Sequence, residues 1–435
     1  MMGGLADKIG LGVQTYWQGW RAVSRQYRSG DVERIRNVRL QRLIRYCFEH
    51  IKYYREEFER AGINPEQVMS PSDLDQLPIL TKEELRSRWW DFLPRELPRC
   101  RVSRTSGSTG IPVCILSDRN SRVFNSAGVI RYRRALGMKF LGGQILTPLK
   151  TANESHRPSH RTFLQGVHKT YYINPYSDDA EYAKRLFSVL KKPAIVGITP
   201  AIRALAYRVR DGVFPALTAS IVITSGESLE PQVRHLLEST FEAKVADVYA
   251  CNEAGDVAWQ CLCGGGYHIN ADNVIVEIIK EGKKAGDGEV GEVVITNLSR
   301  YVMPIIRYKN GDLARFSGTG CPCGCKLPML EELAGRTGED LMLPGGGSVP
   351  WNQLKGLMNH PWIRQFQIVQ DALGSLHVRY VCENAADTSS LEHLILYRYK
   401  RLVGDSIPVT ADRCDQIQPE PSGKTRLVIS HYKAD

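Results

Sequence analysis

The run Thr105-Ser106-Gly107-Ser108-Thr109-Gly110, followed by Ile111-Pro112, is the stretch best suited to hold an anion. Glycine lets the backbone turn tightly and approach a ligand closely. Successive N–H groups in such a loop form a concave anion site, and the hydroxyls of Ser106, Ser108 and Thr109 add donors. The chemistry suggested is a cradle for phosphate oxygens. The plain alternative is a surface loop, where Ser, Thr and Gly also gather. No Gly-Lys-Ser/Thr closes the run, so it is not a P-loop of the Walker type. A second kind of chemistry lies downstream. Cys261 and Cys263 precede His268, and Cys321, Cys323 and Cys325 follow in Cys-Pro-Cys-Gly-Cys. Close groups of soft ligands favour tetrahedral zinc over free buried thiols.

Three more polar motifs sit where strands end or turn. Thr224-Ser225-Gly226-Glu227 closes an apolar run, and Tyr249-Ala250-Cys251-Asn252-Glu253 follows another at 245–248. Ligands bind at strand C-termini in α/β sheets. A tyrosine there can stack on a base, and Glu253 can hold a Mg²⁺ bridging phosphate oxygens. A polar-capped turn is the bland alternative for each. In Tyr308-Lys309-Asn310-Gly311-Asp312, Asp312 can accept from a ribose diol, while Asn-Gly is also a strong hairpin signal. Gly335-Arg336, Asp340 and the turn Pro421-Ser422-Gly423-Lys424 complete the set.

These residues need a scaffold of more than one core. The chain has 435 residues, 43% apolar and 24% charged, as in a globular protein of two domains. The net charge of +10 suits an anionic ligand such as a nucleotide, and is compatible with nucleic acid or an acidic membrane surface. The basic residues are dispersed and the cysteine spacing is not that of a C₂H₂ finger, which argues against nucleic acid. No apolar run reaches the length of a transmembrane segment. The N-terminus lacks a secretory signal, so the chain reads as cytoplasmic.

The elements follow from periodicity. Residues 1–30 carry Leu5, Ile9, Val13, Trp17, Trp20 and Tyr27 at helical spacing, with Lys8, Arg21, Arg25 and Arg28 between them. Such a basic amphipathic helix can lie on a membrane, although packing on its own domain or on a second subunit is the commoner use. A second helix is expected over 32–61, stopped by Gly62, and Thr81 with Glu84 forms a capping box. Strands at 194–198 and 220–224 alternate with helices at 180–190, 202–210 and 231–241, which predicts an α/β sheet. Residues 274–316 read as a β-rich subdomain. Past Pro344-Gly345-Gly346-Gly347, strands at 363–370, 376–381 and 426–430 and a helix at 389–403 predict a small α+β domain.

The ordered motifs resemble those of the adenylate-forming superfamily of acyl-CoA synthetases, peptide-synthetase adenylation domains and luciferases. Within it the chain looks most like the phenylacetate-CoA ligase branch, including capsular-biosynthesis-type relatives. Tyr53-Tyr54-Arg55, Ala61-Gly62-Ile63 and Leu77 to Lys82 extend the likeness to nearly the whole chain. The resemblance implies an α/β fold: a large N-terminal domain (1–338) of mixed α/β sheets with a β-rich, zinc-bearing part at about 250–335, and a small mobile α+β domain (339–435). It implies an AMP-forming ligase in which ATP activates a carboxylic acid, an aromatic one as first guess, and coenzyme A accepts the acyl group. An amine or carrier-protein thiol is the alternative acceptor, and a nucleotide-binding protein without turnover the more distant alternative. A homodimer fits the branch.

By the same resemblance, Thr105 to Gly110 hold the ATP phosphates, and Ser225, Gly226 and Glu227 line the adenine side. Tyr249, with Ala250 beside it, stacks on adenine, and Glu253 binds Mg²⁺. Asp312 binds the ribose next to Arg336, Asp340 is the hinge, and Lys424 reaches the reacting carboxylate. A structural zinc maps to Cys261, His268, Cys321 and Cys323, with Cys263 and Cys325 as rivals. Ile111 stands where many relatives carry lysine. Cys251-Asn252 departs from the usual Gly-x-Thr, Lys309-Asn310 replaces Arg-Thr, and the hinge is spaced one residue longer than usual.

Overall fold

The computed structural model describes residues 2–104, 113–139, 143–147, 169–176, 179–336, 341–344, 346–349, 351–354, 357, 360, 362–383, 387–418 and 426–432. A short antiparallel ribbon, β1 (Arg101–Arg104) and β2 (Cys114–Ser117), pairs Arg104 with Cys114.

The body is built on a twelve-stranded mixed sheet. Its first strands in the chain are β3 (Gly143–Leu146), β4 (Lys169–Tyr172), β5 (Ala194–Val196), β6 (Ile221–Ser225) and β7 (Val245–Cys251). They pair in parallel in the order β7-β6-β5-β3-β4. Helices Ala180–Val189, Thr199–Arg210 and Pro231–Phe241 form the crossovers. Ile195, Val222 and Val245 are buried between sheet and helices, as the short β-branched runs require.

The sheet then changes from parallel to antiparallel pairing. β7 turns through Asn252-Glu253-Ala254 into β8 (Gly255–Gln260), which pairs with it antiparallel. Beyond β8 come β9 (Tyr267–Ile269), β10 (Val274–Lys280), β11 (Lys283–Lys284), β12 (Gly291–Asn297), β13 (Tyr308–Phe316) and β14 (Met329–Arg336). Their order is β8-β9-β14-β13-β12-β10-β11. The expected β-rich part is thus a continuation of the main sheet rather than a sheet of its own.

The Asn310-Gly311 pair does not form a hairpin. It lies inside β13, where the register against β12 slips between Glu292 and Val294, and Gly311 takes a φ of 85°. Extra residues on one strand make a bulge, which bends the strand and re-aims its side chains.

The N-terminal segment braces this region. The helix expected over 32–61 is two helices, Ser29–His50 and Lys52–Ala61, broken at Ile51 (φ −116°, ψ 114°). The break lets Tyr54 turn inward. Its hydroxyl donates to the Pro304 carbonyl at 3.0 Å and accepts from the Ile306 N–H at 2.9 Å. Gly62 closes the second helix at φ 65°, and Thr81 and Glu84 form the expected capping box. Leu80 bridges to Tyr308, so the capped turn holds the first residue of β13.

On the first helix, Met2–Arg25, the stripe residues Val13, Trp17 and Trp20 do not pack on the body, and the Leu5 and Ile9 side chains lie outside the described residues. Its inward face is Gly12, Thr15, Gly19 and Ala22, lying against helix Arg119–Ala135. The approach is close: a Cβ on Gly19 would meet Ile130 Cδ1 at 2.6 Å. Arg131 ties the pair down, donating to the Ala22 carbonyl at 3.2 Å and to Asp272 at 2.6 Å. Burial works against the Asp272 charge, yet Arg131, Arg39 and Arg25 around it keep its pKa below the usual carboxylate value.

After a two-stranded ribbon of β15 (Leu341–Met342) and β16 (Ser348–Val349) comes a four-stranded sheet. It consists of β17 (Ile363–Gln370), β18 (Leu376–Cys382), β19 (Val409–Arg413) and β20 (Val428–Ser430), ordered β19-β18-β17-β20. Helix Thr388–Val403 covers it, and Ile368, Val378, Tyr380, Ile395 and Tyr399 make a separate core. Arg364 and Glu383 of this unit meet Asp211 and Arg210 at the end of helix Thr199–Arg210, with Arg364–Asp211 at 2.8 Å and Arg210–Glu383 at 2.8 Å.

Candidate nucleotide site and metal centre

The end of β7 and the start of β13 meet. The Tyr249 hydroxyl donates to Asp312 Oδ2 at 2.7 Å and accepts from Asn310 Nδ2 at 2.7 Å. The same amide donates to Asp312 Oδ2 at 2.7 Å, and Asn310 Oδ1 accepts from the Asp312 N–H at 3.0 Å. β13 and β7 are separated by β14, β9 and β8 in the sheet. A flat sheet would hold them about 19 Å apart, at about 4.8 Å per strand. The antiparallel half must curl over for the hydroxyl and carboxylate to touch. Curling buries Tyr249, and burial with the adjacent Asp312 carboxylate pushes its phenol pKa well above the ordinary value.

Glu253 lies on the turn between β7 and β8. It is buried, and its Oε1 accepts from the Tyr308 hydroxyl at 3.0 Å. Two side chains fix that turn. Asn297 Nδ2 donates to the Ala254 carbonyl at 2.7 Å, and Arg300 donates to the Asn252 carbonyl at 3.3 Å and the Leu116 carbonyl at 2.6 Å. Burial lowers the Arg300 pKa against the pull of Cys251, Asp118 and Glu253. Burial, with Glu253 next to it, raises the pKa of Cys251, so this cysteine is an uncharged wall.

Ser225 ends β6, and Gly226 turns with a φ of 87°. The turn is clasped by Thr199, whose hydroxyl donates to the carbonyls of Ser225 (3.3 Å) and Glu227 (3.4 Å). The start of that helix comes close to β3: a Cβ on Gly197 would stand 1.9 Å from Thr147 Oγ1.

Ser225, Gly226 and Glu227 thus stand at the end of β6, beside Tyr249, Ala250 and Glu253 on β7 and its turn, while β13 brings Asp312 to Tyr249. In the β13–β14 pairing, Asp312 stands opposite Arg336. Thr105 to Gly110, the Arg336 side chain, Asp340, Lys424 and the polar segment 151–161 lie outside the described residues. Asn310, Tyr308 and Arg300 are participants that motif reading missed. The first two sit within the quoted Tyr308–Asp312 run, in which Asp312 alone carries an expected role, and nothing local marks Arg300.

At the far end of β8 the predicted metal set assembles. The donor atoms of Cys261, His268, Cys321 and Cys323 all lie within 4.8 Å of one another. Cys321 Sγ is 3.5 Å from Cys261 Sγ, and Cys323 Sγ is 3.3 Å from His268 Nε2. Tetrahedral zinc with sulfurs at about 2.3 Å has ligand edges of about 3.8 Å, so the cluster has the scale of such a cage. Burial opposes the Cys261 thiolate, but N–H groups of Cys263 and Gly264 draw its pKa below the ordinary value. Burial lowers the His268 pKa, favouring the neutral imidazole that binds metal. Cys263 and Cys325 instead supply N–H groups to the sulfurs of Cys261 and Cys323, each at 3.4 Å.

Comparison with known proteins places this geometry. Residues 341–431 match the CapK C-terminal domain family. A phenylacetate-coenzyme A ligase of Thermus thermophilus is 25% identical, over 79% of each chain. The chain resembles the adenylate-forming ligases, in their phenylacetate-CoA ligase-like branch. Protein CapK of Staphylococcus aureus, 20% identical over 95% of this chain and 92% of its own, lies in the same comparison. The fold of this branch is also found in 2-hydroxyisobutyryl-CoA ligase, solved in its postadenylation state with R3-HIB-AMP. The TM-score is 0.73, with 19% identity over 92% of this chain and 89% of that one.

Proposed function

We propose that the protein is an AMP-forming ligase that activates a carboxylic acid with ATP and passes the acyl group to coenzyme A. The observation that carries this reading is the Tyr249–Asn310–Asp312 triad, built beside Glu253 in the fold of an enzyme caught with an acyl-adenylate. A carboxylate oriented by two donors on one oxygen is a pre-set acceptor for a ribose diol. The buried tyrosine ring beside it gives a base a stacking surface. The turn at Ser225, Gly226 and Glu227 lines the adenine side, and Thr105 to Gly110 would cradle the phosphates.

The acid's carboxylate attacks the α-phosphorus of ATP in line, and pyrophosphate leaves. Lys424 would offset the charge growing on the phosphate oxygens. Glu253 would hold Mg²⁺, which when bound neutralises charge on the triphosphate. We assign residues 1–338 to acid and ATP binding, and 339–435 to a lid turning about Asp340. Cys261, His268, Cys321 and Cys323 would hold a structural zinc, since four protein ligands leave no open position.

The test is pyrophosphate release from ATP across a panel of carboxylic acids, phenylacetate and 2-hydroxyisobutyrate included, each with and without coenzyme A. Release with one acid, with coenzyme A converted to its thioester, is the expected result, with an aromatic acid preferred. Release with no thioester would move the acceptor to an amine or carrier thiol. No release by a protein that binds ATP would sink the ligase reading.

A further inference from the structure

The first helix turns the usual arrangement inside out. Its small residues Gly12, Thr15, Gly19 and Ala22 face the body, and Val13, Tyr16, Trp17 and Trp20 face solvent. Val13 is 65% exposed, Trp17 and Trp20 51% each, and Tyr27 just beyond the helix 53%. Guanidiniums interleave with the rings: Arg21 lies 3.4 Å over Trp17 and Arg134, from the neighbouring helix, 5.9 Å over Trp20. From Lys8 to Gly30 the sequence holds no acidic residue, and Asp31, the first to follow, already pairs with Arg28 at 3.8 Å. Beneath the helix, Arg25, Arg39 and Arg131 surround the single carboxylate of Asp272, so the inner side adds positive potential rather than cancelling it.

We infer that this face lies on an anionic lipid surface, holding the protein at a membrane without crossing it. Tryptophan and tyrosine prefer the boundary where one side is apolar and the other wet, and arginines beside them meet lipid phosphates. Among the described residues no helix is long and apolar enough to span, so the helix lies in the interface plane, about 36 Å long at about 1.5 Å per residue. Charge decides against a second copy of the chain as the occupant. A two-fold contact sets the face against itself, guanidinium to guanidinium, with Asp7 the one acid in the helix sequence to answer them.

The test is flotation of the full-length protein with phosphatidylcholine vesicles containing about 30% phosphatidylglycerol, with sedimentation velocity on the same samples. We expect at least about ten-fold stronger binding than to pure phosphatidylcholine, weakening as salt rises. Trp17→Ala with Trp20→Ala, and separately Arg21→Glu with Arg134→Glu, should each lower binding by about ten-fold or more while melting temperature and pyrophosphate release stay unchanged. Absence of vesicle binding would overturn the inference, as would binding untouched by both pairs of substitutions. A concentration-dependent dimer that the tryptophan substitutions abolish would also overturn it, assigning the face to a second copy.

Discussion

At one end of β8 stand Glu253 on its turn and, drawn in from β13, Asn310 and Asp312. At the other end, about 20 Å away along the strand, stand Cys261, His268, Cys321 and Cys323. β13 joins the same two places, starting at Tyr308 beside Glu253 and leading out to Cys321. The first end is held by directed hydrogen bonds among oxygen and amide groups, all made within the protein. The second gathers thiols and one imidazole with few partners beyond each other and nearby N–H groups. Hydrogen bonds of this kind suit the proposed role of a site that receives and releases a ligand. Soft donors packed at contact distance have nothing to gain from one another until a cation lies between them, which suits a permanent brace.

The contrast predicts that the two ends fail differently. Cys321→Ser breaks the brace. It should remove stoichiometric zinc and cost roughly 3–5 kcal/mol, lowering the melting temperature by roughly 10 °C. The protein that remains folded should keep its KM for ATP. Metal analysis with calorimetry checks the first part and steady-state kinetics the second; an unchanged melting temperature in a metal-free protein would remove the brace. Asp312→Ala breaks the other end. The KM for ATP should rise about ten-fold or more, close to 1.4 kcal/mol of lost binding, with zinc content and melting temperature held. Asn310→Ala should move KM the same way by about three-fold, since Tyr249 still orients the carboxylate. If Asn310→Ala had no effect on ATP while lowering stability, the triad would be a packing feature rather than a nucleotide contact.

How much of this was legible in the sequence also differs between the two ends. The gathering of the cysteines was readable because a candidate ligand set is marked by residue type and tight spacing, and both survive in one dimension. His268, seven residues after Cys261, joined the set only through the family resemblance. The Tyr249–Asp312 end was readable as motifs in order, but not as contacts. That Tyr249 reaches Asp312 depends on the curl of a sheet with three strands between them, and no local pattern carries that distance. Asn310-Gly311 misled for the same reason: the dipeptide reads as a hairpin in isolation, and only the register slip against β12 makes it a bulge. The crossover helix Pro231–Phe241 and strand Ile363–Gln370 matched their expected limits because proline and amphipathic period mark them locally. The helix break at Ile51 has no such marker, since it is set by where Tyr54 must point. The first helix inverted expectation because its glycines, not its aromatics, permit close packing.

Near the cysteine end of β8 lies Asp247 of β7, buried, its N–H donating to Gln260 Oε1 at 3.3 Å. The Thr224 hydroxyl donates to its Oδ1 at 2.7 Å and the Tyr267 hydroxyl to its Oδ2 at 3.0 Å. Burial pushes its pKa up to about 6 from 3.8, with these donors only partly offsetting it. A raised carboxyl pKa means the folded state binds the proton more tightly than the unfolded chain. The associated stability is present below the unfolded value and is lost as pH rises through the folded one. Between pH of about 5 and about 8 the loss should be about 1 kcal/mol. Asp247→Asn abolishes this titration whatever it costs in hydrogen bonding. The variant should therefore gain about 1 kcal/mol on the parent over that interval, read by urea unfolding at both pH values. A constant difference between the two proteins would mean that Asp247 stays ionised across the range, and that its surroundings are as polar as those of Asp312.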